Sequence, residues 1–485
     1  MSSGQKPEEE TRRVIAIDLG AQSSRISLVS WLSGHGEIRE IYRFETPQVS
    51  RNAHIFWNLQ RIRDEVRTGI RKCAEYTGGR IDSLGIDGWG VDYVRVDERA
   101  EPVADPFCYR DPRTETPSTE FRNILPPEKL YSITGIQMMR INTLYQLLAD
   151  RQESLKPGAG WASLPEYLLH DLGGERVSEY TEASTTQLVH ALKRNWSDEV
   201  FSLAGLDRQK APPIVPPGTK IGSLHGPLAE LRSLRNTQLV APACHDTASA
   251  VAGIPDEGTD WAFISSGTWS LVGTLLQQPC TSLAAFQNNL SNEGGLDGSI
   301  RFLRNVNGMW LIEQCLRHWS ELGKGWDVPT LVEACRAMPA PKELLDVDDA
   351  ELHLPGEMPQ RINRVLTRHS LAPYSEGPED APRLANLIFH SLAARYSEVL
   401  NIICRVTGKA IRKIYIVGGG SRNAYLNRLL AERTGLEVIR GQVESSTIGN
   451  AAIQMAVLGG AVGAFGVAAP RTAEWSRRLG TSTTD

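Results

Sequence analysis

Val14-Ile15-Ala16-Ile17-Asp18-Leu19-Gly20-Ala21-Gln22-Ser23-Ser24-Arg25-Ile26-Ser27-Leu28-Val29 is an apolar strand, a tight polar turn and a second apolar strand. The same pattern returns in the second half as Trp261-Ala262-Phe263-Ile264-Ser265-Ser266-Gly267-Thr268-Trp269-Ser270-Leu271-Val272. Turns of Gly, Ser and Thr between strands expose several backbone N–H groups, and such concavities bind anions. One hairpin in each half predicts two related domains that hold a polyphosphate. The first turn carries an acid, Asp18, suited to a cation; the second carries hydroxyls only. That asymmetry points to a nucleotide and a metal.

Working outward, residues 14–44 read as a three-stranded meander turning at Ser33-Gly34-His35-Gly36. The apolar spacing of Leu59, Ile62, Val66, Ile70 and Cys73 predicts an amphipathic helix over 57–76, ended by Gly78-Gly79. A strand at Ile81–Ile86, a loop at Asp87-Gly88-Trp89-Gly90 and a strand at Val91–Val96 follow, the start of an α/β layer arrangement. Gln238–Ala241 reads as a short strand leading into His245-Asp246-Thr247 and a small-residue helix that ends at Gly253. Further on, a long helix over 383–407, a strand over 413–417, the turn Gly418-Gly419-Gly420 and a helix over 424–434 are expected.

Composition narrows the function. With 485 residues, 41% apolar and 22% charged, the chain is long enough for two or three cores. Its net charge of −5 and the lack of a basic block argue against a nucleic-acid partner. Seven scattered cysteines, none spaced Cys-x-x-Cys, read as free thiols in a reducing compartment. Residues 1–13 read as a polar tail with no signal-peptide core. The uncharged stretch 451–469 is broken by Gly459-Gly460, so a buried helix and a turn are expected there, and no membrane partner. A cytoplasmic protein follows from these readings.

Two residues could carry chemistry. Asp18 is either a local turn former or the acid of a phosphate loop. Asp246 is either the N-cap of the helix it precedes or a general base. Gly418-Gly419-Gly420 lacks the Gly-x-Gly-x-x-Gly spacing, and reads as a nucleotide-binding turn or a plain strand–helix turn. Asn292-Glu293-Gly294-Gly295 and Arg304-Asn305-Val306-Asn307-Gly308 read as polar loops. Trp89 either stacks on a sugar face or belongs to the core.

Taken in order, these motifs resemble the FGGY family of carbohydrate kinases over residues 14–458. The resemblance rests on Ala16–Ala21, Gly85–Asp92, Tyr109–Asp111, Asn142–Leu147, Thr185–Val189, His245–Val251, Ser265–Leu271, Asn292–Gly295, Val417–Gly420 and Ser446–Asn450. It implies an α/β fold of two RNase H-like domains, actin- and hexokinase-like, about a central cleft. Residues 14–253 would be the sugar-binding N-terminal domain and 254–466 the nucleotide-binding C-terminal domain, with 467–485 a tail. It implies a transferase that uses ATP, Mg²⁺ and a sugar, as a monomer or homodimer. By resemblance Asp246 is the catalytic base and Asp18 the metal residue. Ala21, Gln22, Ser23, Ser24, Arg25, Thr268, Asn305, Glu313 and Gly419 hold the nucleotide. Gly90, His245, Asp246 and Thr247, with Trp89, line the sugar site.

The departures bear on the sugar and on ATP. Where close members have Gly-Ala-Ser-Ser-Gly-Arg, this chain has Gly20-Ala21-Gln22-Ser23-Ser24-Arg25. A positive φ at Ser24 would put that residue under strain. Gly88 and Pro112 replace the usual Thr and Ser near the sugar side. L-Rhamnulose phosphorylated at its 1-hydroxyl is the first expectation. L-Fuculose or a pentulose is the second, and a non-catalytic sugar- and ATP-binding regulator the third.

Overall fold

The computed structural model describes residues 11–152 and 158–480. Residues 1–10 of the expected N-terminal tail, and 481–485 of the C-terminal one, lie outside them.

The elements that position the site are, in chain order, β1 (Arg12–Leu19), β2 (Ser23–Leu32), β3 (His35–Glu45), α1 (Leu59–Tyr76), β4 (Ser83–Gly88), β5 (Thr219–Ser223) and β6 (Gln238–Ala241). Then come α2 (Asp246–Ala252), β7 (Trp261–Ser266), β8 (Trp269–Leu276), β9 (Ser291–Gly294), β10 (Ile300–Asn307) and α3 (Trp310–Glu321). The last are α4 (Ala381–Thr407), β11 (Lys413–Val417), α5 (Ala424–Thr434), β12 (Glu437–Arg440), α6 (Ser445–Leu458) and α7 (Ala469–Gly480).

A first six-stranded sheet has the order β5-β6-β4-β1-β2-β3, and a second the order β9-β10-β8-β7-β11-β12. Each is built on an antiparallel hairpin, β1/β2 or β7/β8. On the far side of the hairpin's first strand lie parallel strands, β4 and β6 in one sheet and β11 and β12 in the other. The pattern read from the two quoted stretches is therefore a repeated sheet topology.

By its contacts the chain divides into two compact units. One comprises residues 1–257, 276–302 and 445–485; the other comprises 258–275 and 303–444. A cut at Gly253 does not describe these units, because two later segments pack with the N-terminal half. In the first unit α6 lies against the first sheet. Ile448, Ala451, Ala452 and Met455 form one cluster with Val14, Ala16, Val29 and Trp31. Within that contact Gln454 Nε2 donates to Ile15 O at 3.0 Å and its Oε1 accepts from Ser83 Oγ at 2.7 Å.

The expected C-terminal tail from 467 is corrected by α7. Leu479 is fully buried, Ser476 Oγ donates to Ala252 O at 2.8 Å, and Trp475 meets Trp31 edge-on at 5.3 Å. Likewise Arg12 and Arg13 belong to β1 rather than to a tail. The helix expected over 57–76 is α1, capped by Asn58, whose side chain accepts from Arg61 N. All five of its periodic apolar residues are buried. The seven cysteines are free thiols, five of them buried. No helix among the described residues is long and apolar enough to cross a membrane.

Two expected loops are strands. Ser291–Gly294 and Ile300–Asn307 form β9 and β10. Their polar residues misled the reading because a buried Glu–Arg pair, Glu293 with Arg301, neutralises the charge inside the sheet.

Candidate active site

In the first unit two neighbouring parallel strands carry an acid near their carboxyl ends. β1 ends at Asp18-Leu19 and β4 at Asp87-Gly88, with Asp18 and Asp87 directly in register. A bridge between Gly88 and His245 carries the row on to the start of α2. Carboxyl ends of parallel strands are where open α/β sheets bind ligands.

Asp18 is nearly buried and its Oδ2 accepts the Ser446 hydroxyl. Arg25, opposite it across the hairpin, approaches the same oxygen at 3.3 Å. Asp87 is wholly buried. Asn450 Nδ2 donates to its Oδ2 at 2.6 Å, while its Oδ1 has no partner. Loss of hydration, then the nearby Asp18 charge, hold Asp87 well above the usual carboxylate range.

The turn between them is set by its own geometry. A Cβ on Gly20 would stand 2.5 Å from Ser23 O, so a side chain there has no room. Thr46 braces the turn from behind. Its Oγ1 donates to Gly20 O at 2.6 Å and its N–H to Gln22 O at 3.0 Å. Ser24, fully buried, completes the brace through Ser24 Oγ···Thr46 Oγ1 at 2.8 Å. Ser24 is a strand residue and has no positive φ. The strain expected at Ser24 is absent, and its hydroxyl has a structural use.

Asp246 is the first residue of α2, and His245, not Asp246, is the N-cap. The cap reading is thereby removed. The Asp246 side chain is a third exposed, and Thr247 Oγ1 donates to its Oδ1 at 3.1 Å. Withdrawal from water, then Asp18, raise its pKa to about 7. A carboxyl titrating there can accept a proton near neutral pH. Thr185 Oγ1 and His245 Nε2 both lie beside the Gly90 backbone, 3.1 and 3.4 Å from where a Cβ would stand.

Trp89 is core more than platform. It is 7% exposed, its ring is 4.4 Å from that of Trp57, and its Nε1 donates to Asp92 Oδ2 at 2.9 Å. Asp92 also accepts from Trp57 Nε1, Tyr109 N and Gln146 Nε2. Burial outweighs these donors and raises its pKa to about 6.

The second unit brings the other turns together. Val417, which leads into Gly418, pairs in register with Ser265 of β7. A Cβ on Gly418 would meet Ser266 O at 2.9 Å and one on Gly420 would meet Ser266 Oγ at 2.0 Å, whereas Gly419 faces open space. The β7/β8 turn is tied to the start of α3 by Met309 N→Gly267 O at 2.9 Å and Trp310 N→Thr268 O at 3.2 Å. Asn305 lies on β10 and Glu313 in the first turn of α3, both half-buried.

Sequence reasoning gave no role to Asp87, Ser446, Asn450, Glu293 or Arg301. Asp87 could have been found from its place at the end of a strand parallel to the Asp18 strand. The others carry no local signal, since their partners are distant in sequence.

Comparison with known proteins gives a consistent result. The profile of the FGGY family of carbohydrate kinases, N-terminal domain, matches residues 13–253, and that of the C-terminal domain matches 262–458. The chain is 38% identical over 455 residues to a rhamnulokinase of Pectobacterium carotovorum, covering 92% of this chain and 88% of that protein. The fold resembles a ligand-bound xylulose kinase of Lactobacillus acidophilus, with TM-score 0.76, 14% identity and 97% of each chain covered. It also resembles a Plasmodium falciparum glycerol kinase with ADP, with TM-score 0.73, 13% identity and 96% and 93% covered.

Proposed function

Because the chain belongs to the FGGY family of carbohydrate kinases, we propose that it transfers the γ-phosphoryl group of ATP to the 1-hydroxyl of L-rhamnulose. The products are L-rhamnulose 1-phosphate and ADP. The choice of sugar is supported by the 38% identity to a rhamnulokinase along almost the whole chain. The reaction is supported above all by Asp246, a largely buried acid at a strand-end site, a third exposed, with its pKa raised to about 7.

In this reading the 1-hydroxyl oxygen attacks the γ-phosphorus, the bond to the β-phosphate oxygen breaks, and the hydroxyl proton passes to Asp246. Gly90, His245 and Thr247 orient the sugar. Trp89 contributes an apolar ring edge at most, since its N–H is committed to Asp92. The braced turn Ala21–Arg25 offers backbone N–H groups to the phosphates, and Thr268, Asn305, Glu313 and the open face of Gly419 hold the nucleotide.

Magnesium fits this donor set. Among the described residues no group of three His, Cys, Asp or Glu could hold a metal alone. Mg²⁺ bound with a nucleotide needs only one or two carboxylates and keeps several waters. Asp18 is the residue to hold it, beside the orphan Oδ1 of Asp87. The bound ion would neutralise developing phosphate charge. Such an enzyme acts in the cytoplasm on small molecules.

The similarity in fold to a xylulose kinase and a glycerol kinase keeps a second reading in view, a kinase of another ketose such as L-fuculose or a pentulose. ADP release on a panel of ketoses separates the two. The L-rhamnulose reading requires a clear preference over L-fuculose, because a wrong epimer leaves buried polar groups unpaired. It requires a smaller preference over analogues with a 6-hydroxyl, since one methyl contributes about 1–3 kcal/mol. Preference for L-fuculose or D-xylulose overturns the sugar and keeps the kinase. No ADP release with any sugar leaves the non-catalytic regulator.

A further inference from the structure

His245 offers its two ring nitrogens to opposite sides. Nδ1 lies 3.0 Å from Arg301 Nη2 and 3.5 Å from Glu293 Oε2. Nε2 lies 3.6 Å from Asp246 Oδ1 and borders Gly90. The two sides make different demands on the ring.

A guanidinium has donors only. At 3.0 Å it obliges Nδ1 to accept. Glu293 would demand the reverse, a proton on Nδ1. Its approach of 3.5 Å is longer, and the same Oε2 is engaged at 3.2 Å by Arg301 Nη1. Arg301 therefore decides, and the single proton of the neutral imidazole sits on Nε2. The contact is rigidly built. Arg301 is 1% exposed, its Nε donates to Gly294 O at 2.7 Å, and it stands on β10 beside Glu293 of β9. The backbone at 244–245 is held from another side, Cys244 N donating to Glu179 Oε2 at 2.8 Å and His245 N to Thr181 Oγ1 at 3.3 Å.

We propose that Arg301, supported by Glu293, is a positioning residue that locks His245 in its Nε2–H tautomer, so that His245 donates to the acceptor sugar while Asp246 alone takes its proton. The proposal rests on the reading of Asp246, His245 and Gly90 as the acceptor site. The bookkeeping of the step is simple: the sugar O–H breaks, the O–P bond forms and the proton moves to Asp246. His245 ends with the one proton it began with. Its Nε2–H holds an oxygen of the bound sugar. The 3.6 Å gap to Asp246 exceeds a hydrogen bond, which leaves both groups able to engage the substrate.

The charges facing the ring agree with this assignment. Arg301 opposes a second proton on His245, while Glu293 and Asp246 beside the ring favour one. Burial first, then Arg301, prevail and hold the imidazole well below its usual range. It stays neutral at working pH.

The test is a long-range ¹H–¹⁵N spectrum of the full chain labelled in histidine, with the His245 signals assigned by their loss in His245→Gln. The expected result is an unprotonated Nδ1 and a protonated Nε2 at neutral pH. A protonated Nδ1, or an imidazolium, overturns the proposal. Removing both charges with Arg301→Met/Glu293→Gln avoids stranding a buried carboxylate. That variant should mix the tautomers and lower kcat/KM for the sugar about tenfold or more, with KM for ATP unchanged. Its pH profile, which already falls on the acid side as Asp246 takes up a proton, should fall more steeply below about 6.5, as the freed imidazole titrates too. An unchanged profile and unchanged sugar kinetics overturn the proposal.

If the double variant does not fold, the spectrum and one further pair decide. His245→Gln keeps a donor and should retain far more activity than His245→Leu, which should lose about 10²–10³ in kcat. Equal losses overturn the donor role. If the wild type phosphorylates no sugar of the panel, the functional reading fails, and the spectrum still reports the tautomer.

Discussion

Asp18 and Asp87 stand directly opposite each other on neighbouring parallel strands, yet only Asp18 has a cationic neighbour, Arg25 at 3.3 Å. Asp87 has an amide from Asn450 on one oxygen and no partner on the other. Burial first, then the nearby Asp18, hold Asp87 towards its neutral form.

The first prediction concerns Asp18. Asp18→Ala removes the carboxylate that faces the phosphate turn, so KM for Mg·ATP should rise and kcat should fall, while sugar binding measured by calorimetry stays near that of the parent. Normal use of Mg·ATP together with lost sugar affinity would place Asp18 on the wrong side of the reaction.

Asp246→Asn should cost roughly 10²–10⁴ in kcat, the usual range for a removed general base. Thermal stability should stay close to the parent's, because His245 rather than Asp246 caps the helix. A rate within about threefold of the parent, well short of that range, would leave Asp246 without a catalytic role.

The pH profile follows from the same residue. Only the ionised carboxylate can accept the proton, so kcat should rise with pH and level off above the pKa of about 7. Below that value it should fall about tenfold per unit. The acid limb should vanish from the residual activity of Asp246→Asn. A profile flat from pH 5 to 8 in the parent would contradict this titration.

Ser24→Gly restores the glycine usual in close members of the family. Because Ser24 is unstrained and bonded to Thr46, the change should lose about 1 kcal/mol of stability and gain nothing in ATP affinity. Thermal unfolding and KM for ATP decide it. A several-fold drop in KM for ATP would show that the serine does distort the turn.

Asn450→Leu removes the donor to Asp87 and leaves a second buried carboxyl oxygen unpartnered. The loss should be about 1–3 kcal/mol, seen as a lower Tm. In Asn450→Leu/Asp87→Leu part of that loss should return, since the unpartnered carboxyl is gone while Gln454 Nε2 loses its acceptor Asn450 Oδ1.

Much of this architecture was legible in the chain. The two hairpins announced themselves because each keeps its apolar run, turn and apolar run within 16 residues or fewer. The helix at 59–76 kept its apolar periodicity and ended close to Gly78-Gly79, and the helix at 424–434 ended at Gly435. The site residues proposed from the sequence lie inside short contiguous motifs: Asp18, Gly90, His245 and Asp246. What escaped depended on distant partners. Glu293 and Arg301 look like solvent-loving residues until each is seen to neutralise the other. Trp89 read equally as sugar platform or core because nothing in its neighbourhood revealed its contacts with Trp57 and Asp92. The domain layout expected a tail at 467–485, where Trp475 and Leu479 anchor a helix instead.

The helix Ser445–Leu458 has a consequence for how the protein is made. It supplies Ser446 to Asp18 across 428 residues and covers Val14, Ala16 and Val29 of the opening strands. During synthesis those strands leave the ribosome long before their cover, which is translated some 428 residues later. For that interval the N-terminal half must keep an apolar sheet face from sticking to its neighbours, an exposure of the kind that invites aggregation. A nascent chain stopped at Gly253 would already carry Asp18, Asp87 and Asp246, yet it would lack the Ser446 hydroxyl that donates to Asp18 and the helix that covers the opening strands. Translation to the end of α6 is thus the step that arms the enzyme.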